Sequence, residues 1–482
     1  MRHVHERLQQ DGLLQRLLAF AERQGLRLFV VGGTVRDVCL GRASLDFDVA
    51  MAGDVMAVSR AFAREVSGAY VPLDPAHGEA RVVYRKQGSI DFARFKGDDL
   101  TQDLRRRDFT INALACPLTT FLTTSTPELI DPCGGWDDLQ ACIVRMPSPQ
   151  SFEDDPLRML RAFRLAASFD FTIDDLTLER MKPTVLRLAD VAAERIHTEV
   201  LKLFSTPHSA PYVATMGQLG LLDAVLPEVA ATHGITQNRY HHVDVFEHSL
   251  LTYQSTEAVI NALASYFQPI SDAVAAYVRA GEHLALLKWA ALLHDIGKPA
   301  ARRVDRRGRV SFPGHAGGGA LLWKEAGHRL KLSAARADYI QTLIAHHLRP
   351  RHLLTLASQG RLTLRVMHRL FRDLDEEVLG LFVLAVADAL ASRGPRTPSN
   401  RPLALGRLCA RVWEAYQTRI RPVLVGPRLL TGDDLQTVCG LEPGPRFKTL
   451  LESIELAHVE GHIRTRAEAL RLVEHLLGAS MR

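Results

Sequence analysis

The sequence predicts an α+β protein, a small α/β head followed by an all-helical remainder. Three observations carry this. Across residues 27–95, short runs rich in β-branched and aromatic residues recur: RLFVV, LDFDVAM, YVPLD, RVVYR and SIDFARF. From Phe152 onward the apolar spacing becomes helical and stays so. Finally, the polar Gly/Pro/Ser-rich stretch ASRGPRTPSNRP marks a linker or long loop before a helical tail. The expected segments are 1–150, 151–230, 231–395 and 396–482.

With 482 residues, 47% hydrophobic and 23% charged, the chain has the composition of a folded globular protein of several domains. A net charge of +5 is mild and compatible with a polyanionic partner. Six scattered cysteines with no CxxC pair argue against a zinc knuckle or a disulfide frame. The first residues, MRHVHERLQQDG, contain no apolar secretory core, and no later stretch is a charge-free membrane span. A cytoplasmic location is expected.

Residues 1 to about 25 read as one amphipathic helix, with Leu13, Leu14, Leu17 and Leu18 on its apolar stripe. Residues 29–50, FVVGGTVRDVCLGRASLDFDVA, then read as strand, Gly-Gly turn, brief helix and second strand. Alternation puts Asp46 and Asp48 on one face and Leu45, Phe47 and Val49 on the other. Two neighbouring carboxylates repel unless a cation sits between them, and hard cations such as Mg²⁺ share such ligands with phosphates. Gly32 and Gly33 free backbone N–H groups for phosphate oxygens, with Arg36 and Asp37 close behind. Asp91, on the last strand, is a candidate third carboxylate; the alternative is an ion pair with Arg85 or Arg94.

The stretch DLRRRDFTINALA carries three consecutive arginines and then Asp108 and Asn112, four apart and on one face if the segment is helical. Arg106 and Arg107 suit a triphosphate, Asp108 and Asn112 a ribose; in isolation such a run is more often an exposed basic helix start. DPCGG, residues 131–135, is a turn by composition. A helix is expected over EDDPLRMLRAFRLAASF, with Pro156 in its first turn. Asp155 and Arg158, three apart, make either a weak intrahelical ion pair or a base-reading pair. In the second case the carboxylate accepts from an exocyclic amine and the guanidinium donates to the adjacent ring nitrogen. Cytosine and adenine present that edge; uracil and guanine do not.

Farther on, His248, His294-Asp295, His315, His346-His347 and Asp388 lie in or beside apolar helical stretches. One buried histidine is ordinary. Several of them, with an adjacent His-Asp pair and a distant aspartate, point to a buried divalent-metal site, and imidazole with carboxylate suits a transition metal. Arg446, Lys448, Arg464 and Arg466 in the tail suit an RNA backbone or simply a solvated face.

These motifs, in this order, resemble those of the bacterial class II tRNA nucleotidyltransferase and poly(A) polymerase family with an HD domain. GGTVRDVCLGRASLDFD resembles the family's metal-binding motif, implying Mg²⁺ on Asp46 and Asp48. RRDFTINALA is similar to its sugar- and phosphate-contacting motif, here Arg107, Asp108 and Asn112. DPCGG resembles a hinge, and DDPLR resembles the base-selecting motif, with Asp154 where glutamate is usual. AAERIHTE is similar to the last head motif, giving Glu194 and Arg195 a supporting role, and His248, His294, Asp295 and Asp388 match an HD phosphohydrolase pattern, which implies a metal on them, with His315 and His346 as further candidates. The resemblance implies a head, neck, HD body and RNA-binding tail. It also implies addition of C and/or A from CTP and ATP to a tRNA 3′ end without a template. Its rivals are a poly(A) polymerase, or mainly an HD phosphohydrolase acting on phosphomonoesters or cyclic phosphates. One departure matters: only KGDDLTQ separates Phe95 from Asp103, and such a shortened loop marks CC-adding members.

Overall fold

The computed structural model describes residues 2–42, 46–84, 88–124 and 128–479. Leu45 and Arg85 fall outside them. The chain forms two compact units: Met1–Leu203 with Thr215–Val225, and Phe204–Ala214 with Leu226–Arg482.

The first unit is built on a six-stranded sheet of β1 (Phe29–Val31), β2 (Asp46–Met51), β3 (Ala69–Asp74), β4 (Glu79–Val83), β5 (Ser89–Arg94) and β6 (Ala115–Pro117). Their order is β3-β4-β5-β2-β1-β6. The β2–β5 pairing is parallel, and its crossover carries the helix Val55–Val66, capped by Asp54, whose carboxylate accepts from the Ala57 N–H. Phe47, Val49, Ile90 and Phe92 are buried, so the opposite, polar face of β2 and β5 carries the aspartates. β6 escapes the sequence reading because three residues are too few to show alternation; it pairs with β1.

Two other expectations change. The N-terminal helix is two, Arg2–Gln9 and Gly12–Gln24, because the Asp11 carboxylate accepts from the N–H groups of Leu13 and Leu14 and starts a new helix. The leucine stripe is buried as expected. Likewise, the helix expected to include Pro156 begins only at Arg158 and runs to Phe169. Asp155 is extended, at φ −148° and ψ 100°, as a residue before proline prefers.

The second unit is helical, with two two-residue strands as its only described sheet. Its centre is the helix Glu377–Ala391, buried along nearly its whole length, packed between Val245–Asn261, His283–Leu293 and Arg401–Ala415. The Gly/Pro-rich stretch between Ala391 and Pro402 is no free linker. Gly394 N–H and the Thr397 hydroxyl both donate to the Tyr240 carbonyl, at 2.9 and 2.8 Å. The tail has its own small core of Leu430, Leu435, Leu450, Ile454, Ala469 and Val473.

Candidate active site and metal centre

In the first unit the β2–β5 register sets Asp48 opposite Asp91 and Asp46 opposite Ser89, whose hydroxyl donates to Asp46 at 2.7 Å. Burial, then the facing Asp91 charge, raise the Asp48 pKa, while Arg107 and Arg36 oppose the rise. Two like charges on a rigid pair of strands fit an oxygen-ligated cation. Asp91 is also held by Arg81, at 2.6 and 2.8 Å, a partner from β4 and not the Arg94 of the sequence reading; the other candidate, Arg85, lies outside the described residues. Arg94 instead reaches the Ala76 carbonyl.

The glycine turn is tightly covered. Gly32 has φ +66°, and a Cβ there would stand 2.7 Å from the Arg107 guanidinium and 3.6 Å from the Asp48 carboxylate. Gly33 is similarly close to Asp48 and Arg36. Arg107 is braced by Asp103 at 3.0 Å, which leaves part of its fork directed at the turn. Arg36 serves differently: it is 9% exposed, donates to Asp37 at 2.9 Å and to Asn112 at 2.6 Å, and stacks on Phe169. It therefore ties the first motif to the second.

Asp108 and Asn112 meet, with the amide donating to the carboxylate at 2.9 Å, but across a single 3₁₀ turn, Thr110–Asn112, and not on an α-helix. Gly135 explains the DPCGG turn behind it: a Cβ would lie 2.0 Å from the Thr110 carbonyl oxygen. The second oxygen of Asp108 accepts from Arg161 at 2.7 Å. Burial would raise the Asp108 pKa, yet Arg161, Asn112 and Arg158 bring it below the ordinary carboxylate value. A depressed folded pKa contributes stability above the unfolded value of about 3.9, and this is lost as pH falls through the folded pKa. Asp108→Asn should therefore cost about 1–3 kcal/mol at pH 7. Calorimetry should find the gap to wild type shrinking below about pH 4; a gap constant with pH contradicts this role.

Asp155 and Arg158 share a cavity of about 380 Å³ with Arg107, Asp108, Arg161 and Arg195. They do not pair with each other as an intrahelical couple. The Asp155 carboxylate accepts from Arg195 at 2.8 Å, and Arg158 donates to the Arg106 carbonyl at 2.7 Å. Both face one space, each held from behind.

In the second unit the expected residues His248, His294, Asp295, His315 and Asp388 come together, and His347 joins them in place of His346. Two sets have ligand atoms mutually within 4.8 Å: His248, His294 and Asp388, and Asp295, His315 and His347. Among the described residues the head carboxylates form no set so tight. His294, His315 and His347 each donate Nδ1–H to the carbonyl three residues back, at 2.9, 2.7 and 2.8 Å. That fixes the tautomer and turns each Nε2 lone pair inward. The His315 and His347 Nε2 atoms stand 3.2 Å apart, and His294 Nε2 is buried 3.1 Å from an Asp295 carboxylate oxygen. Burial pushes the His347 pKa down to about 4, so it is neutral, as a metal ligand must be. Converging bare lone pairs beside Asp295 and Asp388 fit a divalent metal centre. His346 is half-buried and in neither set. The helical stripe Ile340, Leu343, Ile344 continues to position 347, a signal in the sequence that favours His347. His241 was also missed; its ring lies edge-on to His248, 4.4 Å between centroids, with a buried, unpartnered Nδ1.

Three family models match the chain: the poly A polymerase head domain over residues 28–145, the probable RNA and SrmB-binding site of polymerase A over 170–232, and the HD domain over 245–393. The A-adding tRNA nucleotidyltransferase of Deinococcus radiodurans is 35% identical, over 92% of this chain and 94% of its own length. The chain belongs to the tRNA nucleotidyltransferase family. The CC-adding tRNA nucleotidyltransferase of Geobacter sulfurreducens is 31% identical over 94% of this chain and 93% of its own. Among solved structures, a CCA-adding enzyme with CTP superposes with TM-score 0.63 at 20% identity, covering 96% of this chain and 94% of that one. The Thermotoga maritima CCA-adding enzyme complexed with tRNA gives 0.62 at 21%, covering 96% and 94%. The α+β head and helical remainder are thus the family's fold, and the head is a nucleotidyltransferase. Both kinds of domain work with divalent metals. No helix among the described residues is long and apolar enough to cross a membrane.

Proposed function

We propose that the protein extends tRNA 3′ ends from CTP or ATP without a template, adding either CC or A as a partial CCA-adding enzyme. The observation that carries this is the shared cavity of Asp155 and Arg158 with Arg107 and Asp108. It supplies a base-reading edge beside phosphate- and sugar-binding groups, in the same unit as Asp46, Asp48 and Asp91. The 3′-hydroxyl oxygen bonds to the α-phosphorus, the bond to the bridging oxygen breaks, pyrophosphate leaves, and the hydroxyl proton passes to solvent. Mg²⁺ held by Asp46 and Asp48, with Asp91 beside them, would activate that hydroxyl and neutralise the phosphates. Arg107 meets the growing negative charge. Arg36 and Asn112 keep the glycine turn in register with Asp108.

Partial addition is supported by the short link from β5 to the helix Leu100–Arg105, where the Asp103 carboxylate accepts the Lys96 N–H at 2.9 Å and Asp99 caps the helix. The full-length relatives named A-adding and CC-adding agree with it. Sequencing the 3′ ends of tRNA lacking CCA, and of tRNA ending in CC, after incubation with CTP and ATP tests the reading. Either CC on the first or A on the second is expected. Complete CCA on the first contradicts partial addition, and long A tracts on unstructured RNA favour the poly(A) polymerase reading.

A second reading concerns the His/Asp centre. The inward Nε2 lone pairs of His294, His315 and His347 favour a transition metal and hydrolysis of a phosphate ester by water.

A further inference from the structure

Beside the His/Asp centre a cavity of about 180 Å³ is lined by Tyr240, Lys298, Arg351, Asp388 and Arg401. Its cations are unequal. Lys298 is engaged by Asp295 at 2.5 Å and by Gln237 at 2.6 Å. Arg351 and Arg401 have no carboxylate partner among the described residues; their guanidinium groups lie against the Tyr240 ring, 5.1 and 5.6 Å from its centroid. Nearby Arg349, by contrast, is neutralised by Asp373 at 2.8 Å.

Two like charges gathered at one ring, one of them half-buried, are costly unless something anionic completes them. Burial, then the Arg351 charge, pull the Arg401 pKa below its ordinary value. The Tyr240 backbone is held in place: its carbonyl accepts from Gly394 and Thr397, and a Cβ on Gly394 would stand 2.3 Å from the Tyr240 carbonyl carbon. Tyr240 thus stands as a spacer on a held backbone, with two guanidinium groups against its ring at the cavity wall. At about 180 Å³ the space is smaller than the roughly 300–1,000 Å³ of pockets that enclose a drug-sized ligand. It takes the end of a molecule.

We propose that Arg351 and Arg401, spaced by Tyr240, form the anion cradle of the His/Asp centre and hold the terminal phosphate dianion of a nucleotide or an RNA end. Planar bidentate donors suit the two non-bridging oxygens of a phosphomonoester turned toward the centre. The inference rests on the hydrolytic reading for its chemistry, though not for its binding.

Phenylglyoxal labelling of the full-length protein, read by peptide mass spectrometry, reports each arginine separately and needs no turnover. Inorganic phosphate, 3′-AMP and an RNA oligonucleotide ending in a 3′-phosphate should each slow labelling of Arg351 and Arg401 about tenfold, and leave Arg349 unchanged. The same oligonucleotide with a 3′-hydroxyl should not. Greater protection by 3′-AMP than by the oligonucleotide identifies a free nucleotide as the source of the phosphate, and the reverse identifies an RNA end. The variants Arg351→Gln and Arg401→Gln, checked for unaltered melting, should each lose protection at the remaining arginine. Protection without phosphate release by the metal-loaded protein upholds the cradle and removes the hydrolytic reading. Phosphate release, or binding at saturating ligand, with both arginines still labelled at the free rate overturns the cradle.

Discussion

Asp46→Ala and Asp48→Ala each lower single-turnover nucleotide incorporation by about 10³-fold or more, roughly 4 kcal/mol of transition-state stabilisation, while tRNA binding is nearly unchanged. Both side chains leave the polar face of β2, whose inner residues Phe47 and Val49 are untouched, so the sheet persists. Asp48 carries the larger share of the strain, since burial and Asp91 raise its pKa. Its removal also frees the guanidinium of Arg107 from the carboxylate it faces across Gly32. Asp91→Ala is the useful contrast. It takes away the Arg81 ion pair as well, and so costs stability along with activity. Labelled tRNA extension and a filter-binding assay separate the two effects. Retained incorporation by Asp46→Ala would remove the assignment of the head as the catalytic site.

Much of this was legible in the chain, and the reasons differ by element. Asp46 and Asp48 were readable because strand alternation is local. Their partner was only half readable: the parallel register that sets Asp48 against Asp91 joins residues 43 positions apart, and no local rule gives it. Arg81 was missed for the same cause, because its strand order beside β5 is a property of the sheet. Asp155 and Arg158 do line one cavity, but the helix expected to hold both starts only at Arg158. The residue before Pro156 could not stay helical, and the carboxylate turned to Arg195. In the helical unit the choice between His346 and His347 was available from helical spacing, which favours the residue seven beyond Ile340. The guanidinium pair at Tyr240 was not available. It depends on three segments far apart in the chain, one of them the Gly/Pro-rich loop that read as a linker.

The helix His283–Leu293 leads straight into His294 and Asp295, and one buried ion pair anchors it. Lys288, fully buried, donates to Glu257 at 2.6 Å and to the Ser209 hydroxyl at 3.1 Å. Glu257 in turn accepts from the Ser209 N–H and hydroxyl at 2.8 and 2.7 Å. Burial pulls the Lys288 pKa down even with Glu257 against it, so the ammonium depends on that single carboxylate. Lys288→Met leaves Glu257 charged and buried with only the neutral Ser209 and Ala210 donors against it, and should cost about 3–5 kcal/mol in the second unit. Glu257→Gln should cost somewhat less, because the lysine can discharge. The double variant Lys288→Met/Glu257→Gln should recover a large part of the loss, since desolvation of both charges disappears with them. Denaturant unfolding of the four proteins forms the cycle, and metal retention at the His/Asp centre should follow the same order. Equal destabilisation by the single and double variants would mean that packing of the lysine stem, and not the ion pair, holds this helix.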